Sequence, residues 1–157
     1  MPQITPFLWF DGKAEEATDF YLSVFRTARV VDVMHYTEAG PGPAGAVMGV
    51  TFELEGQRFI ALNGGPQFSF TPAISMFVTC ETQQEVDELW DKLSAGGEAQ
   101  QCGWLKDRYG LSWQIIPAAL KEMLQDRDTA RAARVMQALM TMGKIDIARL
   151  QQAQQQQ

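Results

Sequence analysis

Short runs of alternating apolar and polar residues break twice into a helical period, each time just after a strand-like run. Ile4–Phe10 is apolar and β-prone, with Pro6 placed where an edge or a strand start tolerates it. Asp11 and Gly12 follow as cap and turn signals. From Lys13 the apolar residues Ala14, Ala17, Phe20, Tyr21 and Val24 fall on one helical stripe, and Glu15, Glu16 and Asp19 take other faces. Strand character returns at Arg29–Tyr36. After the Gly/Pro-rich loop Thr37–Ala46, Val47–Glu55 alternates again, Glu55-Gly56-Gln57 makes a hairpin turn, and Arg58–Asn63 is a further strand.

The pattern then restarts. Gly64–Pro72 is a loop with two phenylalanines, Phe68 and Phe70, whose rings need somewhere to bury. Ala73–Thr79 is a strand, and Thr82-x-x-Glu85 is a capping box. Val86, Leu89, Trp90 and Leu93 recur at i, i+3, i+4 and i+7, and Gly96-Gly97 ends the helix. Short strands at Glu98–Gln101, Cys102–Asp107 and Leu111–Ile116 complete a second strand, helix, strand, strand, strand. The internal repeat predicts a single domain of two modules, about 4–65 and 73–117, joined by a linker at 66–72. Beyond Pro117 the spacing predicts helices at Ala118–Gln125 and Thr129–Met142, a last turn at Ile145–Leu150, and a frayed Gln-rich tail at 151–157. The stripe Val135, Met136, Leu139 and Met140 is expected to pack on the protein's own sheet or on a second copy.

Composition narrows the functional classes. The chain has 157 residues, 46% hydrophobic and 20% charged, with a formal net charge of −6. An acidic chain is a poor partner for nucleic acid or an anionic membrane. No apolar run is long enough to span a bilayer, and the N-terminal apolar stretch lacks the basic residues of a secretory signal. Cys80 and Cys102, the two cysteines, are expected to be reduced, which places the protein in the cytoplasm. His35 is the single histidine, so no His-rich metal site can form. No C-x-x-C, G-x-S-x-G, P-loop or G-x-G-x-x-G is present.

In the hairpin Gln101–Pro117, Trp113 and Gln114 must point to opposite sides of their strand. One side packs under a helix with Trp113 and Ile115; the other takes Ser112 and Gln114. By the same rule Ser75 opposes Met76 and Asn63 opposes Leu62. The expected site is a pocket where Gln114, Asn63, Ser75 and the Trp104 ring converge, roofed by Phe68 or Phe70, with Cys102 as a further cleft group. The competing readings are a solvated surface glutamine, or a closed core with no cavity.

The stretches Ile4–Gly12, Ala14-Glu15-Glu16-Ala17 with Phe20-Tyr21, Phe59–Pro66 and Gln101–Gln114 resemble the vicinal oxygen chelate (glyoxalase/bleomycin-resistance) superfamily. More narrowly they resemble its PhnB-like subgroup, the "3-demethylubiquinone-9 3-methyltransferase" domain family, over about Ile4 to Leu150. That resemblance implies an α+β fold in which two βαβββ modules form a cupped, eight-stranded mixed-sheet cleft, with C-terminal helices added. It also implies a homodimer. In the superfamily's metal enzymes one ligand follows the turn glycine by four residues, here Gln114, and another falls near Ser75. Neutral Gln, Ser and Asn are weak ligands for a divalent transition metal. The expectation is therefore a metal-free, cofactor-free cleft that binds a small aromatic or weakly polar molecule. The alternatives are an enzyme of the superfamily, of metal-dependent lyase or dioxygenase type, or a methyltransferase as the family label states.

Overall fold

A computed structural model describes residues 1–156 of the chain. They form two compact units that divide between Phe70 and Thr71.

In the first unit β1 (Phe7–Asp11), α1 (Ala14–Val24), β2 (Ala28–His35), β3 (Val47–Leu54) and β4 (Gln57–Gly64) follow one another. The strands make one mixed sheet in the order β1-β4-β3-β2, with β1 parallel to β4 and the other pairs antiparallel. β1 starts at Phe7, later than the expected Ile4. Pro6 has no N–H, so it only accepts a bond, from Ile60 N, and Ile4 is left in solvent. Glu55 and Gly56 both have positive φ, as a two-residue hairpin turn requires. Leu8, Phe10, Val50, Phe52, Phe59 and Ala61 are buried with Ala14, Ala17, Tyr21 and Val24 of α1. Tyr21 stacks on Phe52 and Phe52 on Phe59, with ring centroids 6.2 and 5.4 Å apart.

The second unit repeats the order with β5 (Ser75–Cys80), α2 (Gln83–Ser94), β6 (Glu98–Ala99), β7 (Trp104–Lys106) and β8 (Ser112–Pro117). Its sheet runs β5-β8-β7-β6, and again the first strand is parallel to the last. The fold is therefore α+β, with eight strands in two four-stranded mixed sheets. The Thr82 hydroxyl caps α2 by accepting from Glu85 N at 3.1 Å. Val86, Trp90 and Leu93 bury one face of α2, where Leu105, Trp113 and Ile115 are buried too.

The C-terminal helices are α3 (Ala118–Leu124), α4 (Thr129–Leu139) and α5 (Ile147–Gln155). They gather Leu120, Met123, Val135, Leu139, Met142, Ile145 and Leu150 into a cluster with Ile116 of β8. The expectation of a short last turn and a frayed tail is corrected here. α5 continues to Gln155 because Asp146 caps its start, Ala153 is buried, and Arg134 donates to the carbonyls of Ala153 and Gln154 at 3.1 and 3.2 Å. Gln157, the end of that expected tail, lies outside the described residues. α4 stops earlier than Met142, at Leu139. Its stripe divides: Val135 and Leu139 are buried in the chain's own cluster, whereas Met136 and Met140 are exposed. Among the described residues no helix is long and apolar enough to cross a membrane.

Candidate functional site

The β7–β8 hairpin decides which way Gln114 faces. Asp107 closes the turn: its Oδ1 accepts from Tyr109 N at 2.8 Å and Leu111 N at 3.1 Å. Its Oδ2 accepts from Trp113 Nε1 at 2.9 Å. Gly110 has φ +85°, which a glycine adopts without strain. With the Trp113 indole tied to Asp107 and buried among the apolar residues under α2, alternation turns Ser112 and Gln114 to the other face.

Strand register places the neighbours on that face. Gln114 lies between Phe77 of β5 and Trp104 of β7. One row along, Ser112 lies between Ser75 of β5 and Lys106 of β7. The two rows are joined by a hydrogen bond in which Gln114 Nε2 donates to Ser75 Oγ at 3.0 Å. Phe77 is 59% exposed, and Gln114, Trp104, Ser75 and Lys106 are half-buried. Ser112 is fully buried, and its hydroxyl has no hydrogen-bond partner. At the other end of the face Ile116 packs into the C-terminal cluster. The result is a polar strip with an aromatic residue of a neighbouring strand in register on either side of Gln114, Phe77 and Trp104.

The structure thus brings Gln114, Ser75 and Trp104 together. Cys102 does not join them. It sits in the turn before β7 at φ +59°, and its N–H donates to Met142 O. Its Sγ lies 3.7 Å from Leu139 O and 3.9 Å from Met140 Sδ, on the side of the C-terminal helices. Asn63, Phe68 and Phe70 belong to the first unit. The alternation that sets Asn63 against Leu62 holds, but Asn63 is on the α1 side of its sheet. Its Oδ1 accepts from Ala14 N at 2.8 Å and its Nδ2 donates to Val47 O at 3.0 Å, so it caps α1 from β4. That cap replaces the one expected from Asp11; the N-cap residue, Lys13, makes no side-chain cap. Phe68 meets Trp9 edge-on and Phe70 meets Phe10, with centroids 5.0 and 5.3 Å apart. The Trp9 ring lies over Gly64 and its Nε1 donates to Gly65 O at 2.8 Å.

The reading of the residues did not single out Phe77 and Lys106. Each alternates correctly along its own strand, but only the parallel β5–β8 pairing and the short β7 register set them beside Gln114 and Ser112.

The thiols differ in environment. Both are free, and Cys80 is wholly buried, so desolvation, aided by the nearby Glu85 and Glu81 carboxylates, pushes its thiol up to about 11.

The donor set at Ser75 and Gln114 does not fit the transition metal of the metal enzymes in the superfamily the sequence resembles. It offers only neutral oxygens, the neighbours in register, Phe77, Trp104, Ser112 and Lys106, add no carboxylate or imidazole, and an ammonium repels a cation. Among the described residues no three His, Cys, Asp or Glu side chains gather as ligands.

Residues 2–116 match the family model described as 3-demethylubiquinone-9 3-methyltransferase. Among solved structures, a PhnB protein from Bacillus cereus is 43% identical; the match covers 74% of this chain and 100% of that one, with a TM-score of 0.67. A Pseudomonas aeruginosa protein at 22% identity covers 74% of this chain and 98% of its own, with a TM-score of 0.60. A fosfomycin resistance protein from Listeria monocytogenes, crystallised with manganese(II) and sulfate, is 15% identical, covers 79% and 95% of the two chains, and has a TM-score of 0.55; it shows the shared fold. No curated protein matches the chain.

Proposed function

Because the chain belongs to the 3-demethylubiquinone-9 3-methyltransferase (PhnB) family, we propose that it is a member of the glyoxalase/bleomycin-resistance superfamily that binds a small aromatic or weakly polar molecule without the help of a metal ion. The binding surface in this reading is the face of the second sheet opposite α2. The observation that supports it is the Gln114–Ser75 hydrogen bond set between an exposed Phe77 and a half-buried Trp104. A packed core would not leave a phenylalanine 59% exposed beside an amide. Gln114 Nε2 is committed to Ser75, which leaves Gln114 Oε1 to accept from the ligand and holds the amide in one orientation.

The family's descriptive name does not by itself give this chain an activity, because one fold carries many chemistries. Both sheets are four-stranded and mixed, unlike the open parallel sheet that binds dinucleotides at its strand ends.

The protein works as a homodimer in this account. Phe7, Phe68, Ile74 and Met140 are large apolar side chains left more than half exposed, which a second copy could cover. Free thiols at Cys80 and Cys102 suit the reducing cytoplasm.

Native mass spectrometry of protein purified under gentle conditions tests the binding. A small molecule retained by the wild type and lost from Gln114→Leu supports the reading. Retention by Gln114→Leu and Trp104→Ala alike contradicts it.

A further inference from the structure

The polar row beside Gln114 is richer in donors than an uncharged ligand requires. Three side chains share it, one per strand: Ser75, Ser112 and Lys106. Ser75 Oγ already accepts from Gln114, so its own proton remains to be donated. Ser112 is 0% exposed, yet its hydroxyl is the one buried side-chain polar atom without a partner among the described residues. Buried polar groups are nearly always satisfied, and an orphan in such a place points to a group absent from the chain itself.

Lys106 is the second half of the observation. It is half-buried, and among the described residues no carboxylate comes within ion-pair distance of it. Glu98 stands across from it on the edge strand β6, exposed, and does not close onto it. Among the other cations Arg29 and Arg58 hold Glu53, Arg131 holds Asp126 and Lys144 holds Asp87, whereas Lys13, Lys92, Lys121 and Arg127, which show no ion pair among the described residues, are exposed to water as Lys106 is not. A half-buried ammonium without a counter-charge attracts an anion more strongly than one in water, because the dielectric around it is lower. Neighbouring strands lie about 5 Å apart, so Lys106, Ser112 and Ser75 form one row across three strands, and a ligand oxygen set between Lys106 and Ser75 is within reach of both.

We propose that the ligand of this face is an aromatic carboxylate, its ring against Phe77 and Trp104 and its carboxylate received by Lys106 and the Ser75 hydroxyl, beside the buried, unpartnered hydroxyl of Ser112. This rests on the binding role assigned above and adds the chemical class. It also gives a role to a half-buried, unpaired cation on a sheet face of an acidic chain with a net charge of −6.

Matched pairs of acids and their primary amides test it: benzoate and benzamide, 2-naphthoate and 2-naphthamide, 3-phenylpropanoate and 3-phenylpropanamide. Binding is followed by quenching of tryptophan fluorescence in the wild type, Lys106→Met and Lys106→Arg. The acid of at least one pair binds about tenfold more tightly than its amide, a difference of about 1.4 kcal/mol. Lys106→Met weakens the acid more than the amide and so levels the pair, Lys106→Arg retains the preference, and salt weakens the acid more than the amide. Equal binding of acid and amide to the wild type, or an equal loss of both in Lys106→Met, overturns the carboxylate assignment and leaves the binding role standing. No binding of any member by the wild type overturns both.

Discussion

Replacing Asp107 by alanine removes the acceptor on which the β7–β8 turn depends. The side chain is 2% exposed and takes three N–H donors: Tyr109 N, Leu111 N and Trp113 Nε1. Leu111 and Trp113 are buried, so two of those donors are left with neither protein nor water. The Tyr109 amide is nearer the surface and can be rehydrated. A buried donor stranded by a charged acceptor costs about 1.5–3 kcal/mol. Two stranded donors, with a smaller loss at Tyr109, give about 3–6 kcal/mol. For a chain of this size that corresponds to a fall in Tm of roughly 6–24 °C. Asp107→Asn keeps an oxygen for the two backbone donors but turns its NH2 towards the Trp113 indole, so about 1–3 kcal/mol is expected. Urea unfolding followed by near-ultraviolet circular dichroism measures both. A loss below about 1 kcal/mol for Asp107→Ala would refute the idea that these bonds hold the hairpin, and with it the reason Gln114 faces as it does.

Asn63→Ala should lower stability by about 1–2 kcal/mol through loss of the α1 cap, seen as a reduced urea midpoint with ligand affinity unchanged once the protein is folded. Gly97→Ala should destabilise strongly, because a Cβ there would lie 2.1 Å from the Lys106 carbonyl oxygen; thermal unfolding checks it, and a wild-type midpoint counts against the backbone geometry. The buried Cys80 thiol, raised to about 11, should resist iodoacetamide in the native state at pH 8 while Cys102 reacts, and peptide mapping reads the difference. The sign of the pH effect follows from the same shift. Above the thiol's unperturbed value of 9.0 the unfolded chain loses a proton that the folded chain keeps, so stability contributed by the neutral thiol falls as pH rises from 9 to about 11. The slope is about 1.4 kcal/mol per pH unit, and it should vanish in Cys80→Ala.

Much of the fold was legible because both modules announce themselves by period. Val86, Leu89, Trp90 and Leu93 mark α2 without help from tertiary structure, and the Trp113/Gln114 alternation assigns opposite faces to β8. What stayed hidden depends on pairing between distant strands. Nothing local tells Phe77 that Gln114 is its neighbour, since a parallel β5–β8 pair brings together residues 37 positions apart. Asn63 shows the converse. Its alternation against Leu62 is correct, yet alternation does not say which side the helix covers, and α1 lies on the Asn63 side. The tail misled for a compositional reason: a Gln-rich segment carries little periodicity, and its order comes from Arg134 and the burial of Ala153.

The most direct measurement of the central claim is a titration followed by nitrogen–proton NMR, with the side-chain amide of Gln114 and the indole N–H of Trp104 assigned by their loss in Gln114→Leu and Trp104→Phe. Addition of 2-naphthoate, in the presence of a chelator, should move both resonances together with the backbone amides of Ser75, Phe77 and Lys106. Shifts confined to other parts of the chain, or shifts that arise only after a divalent metal is added, would contradict it.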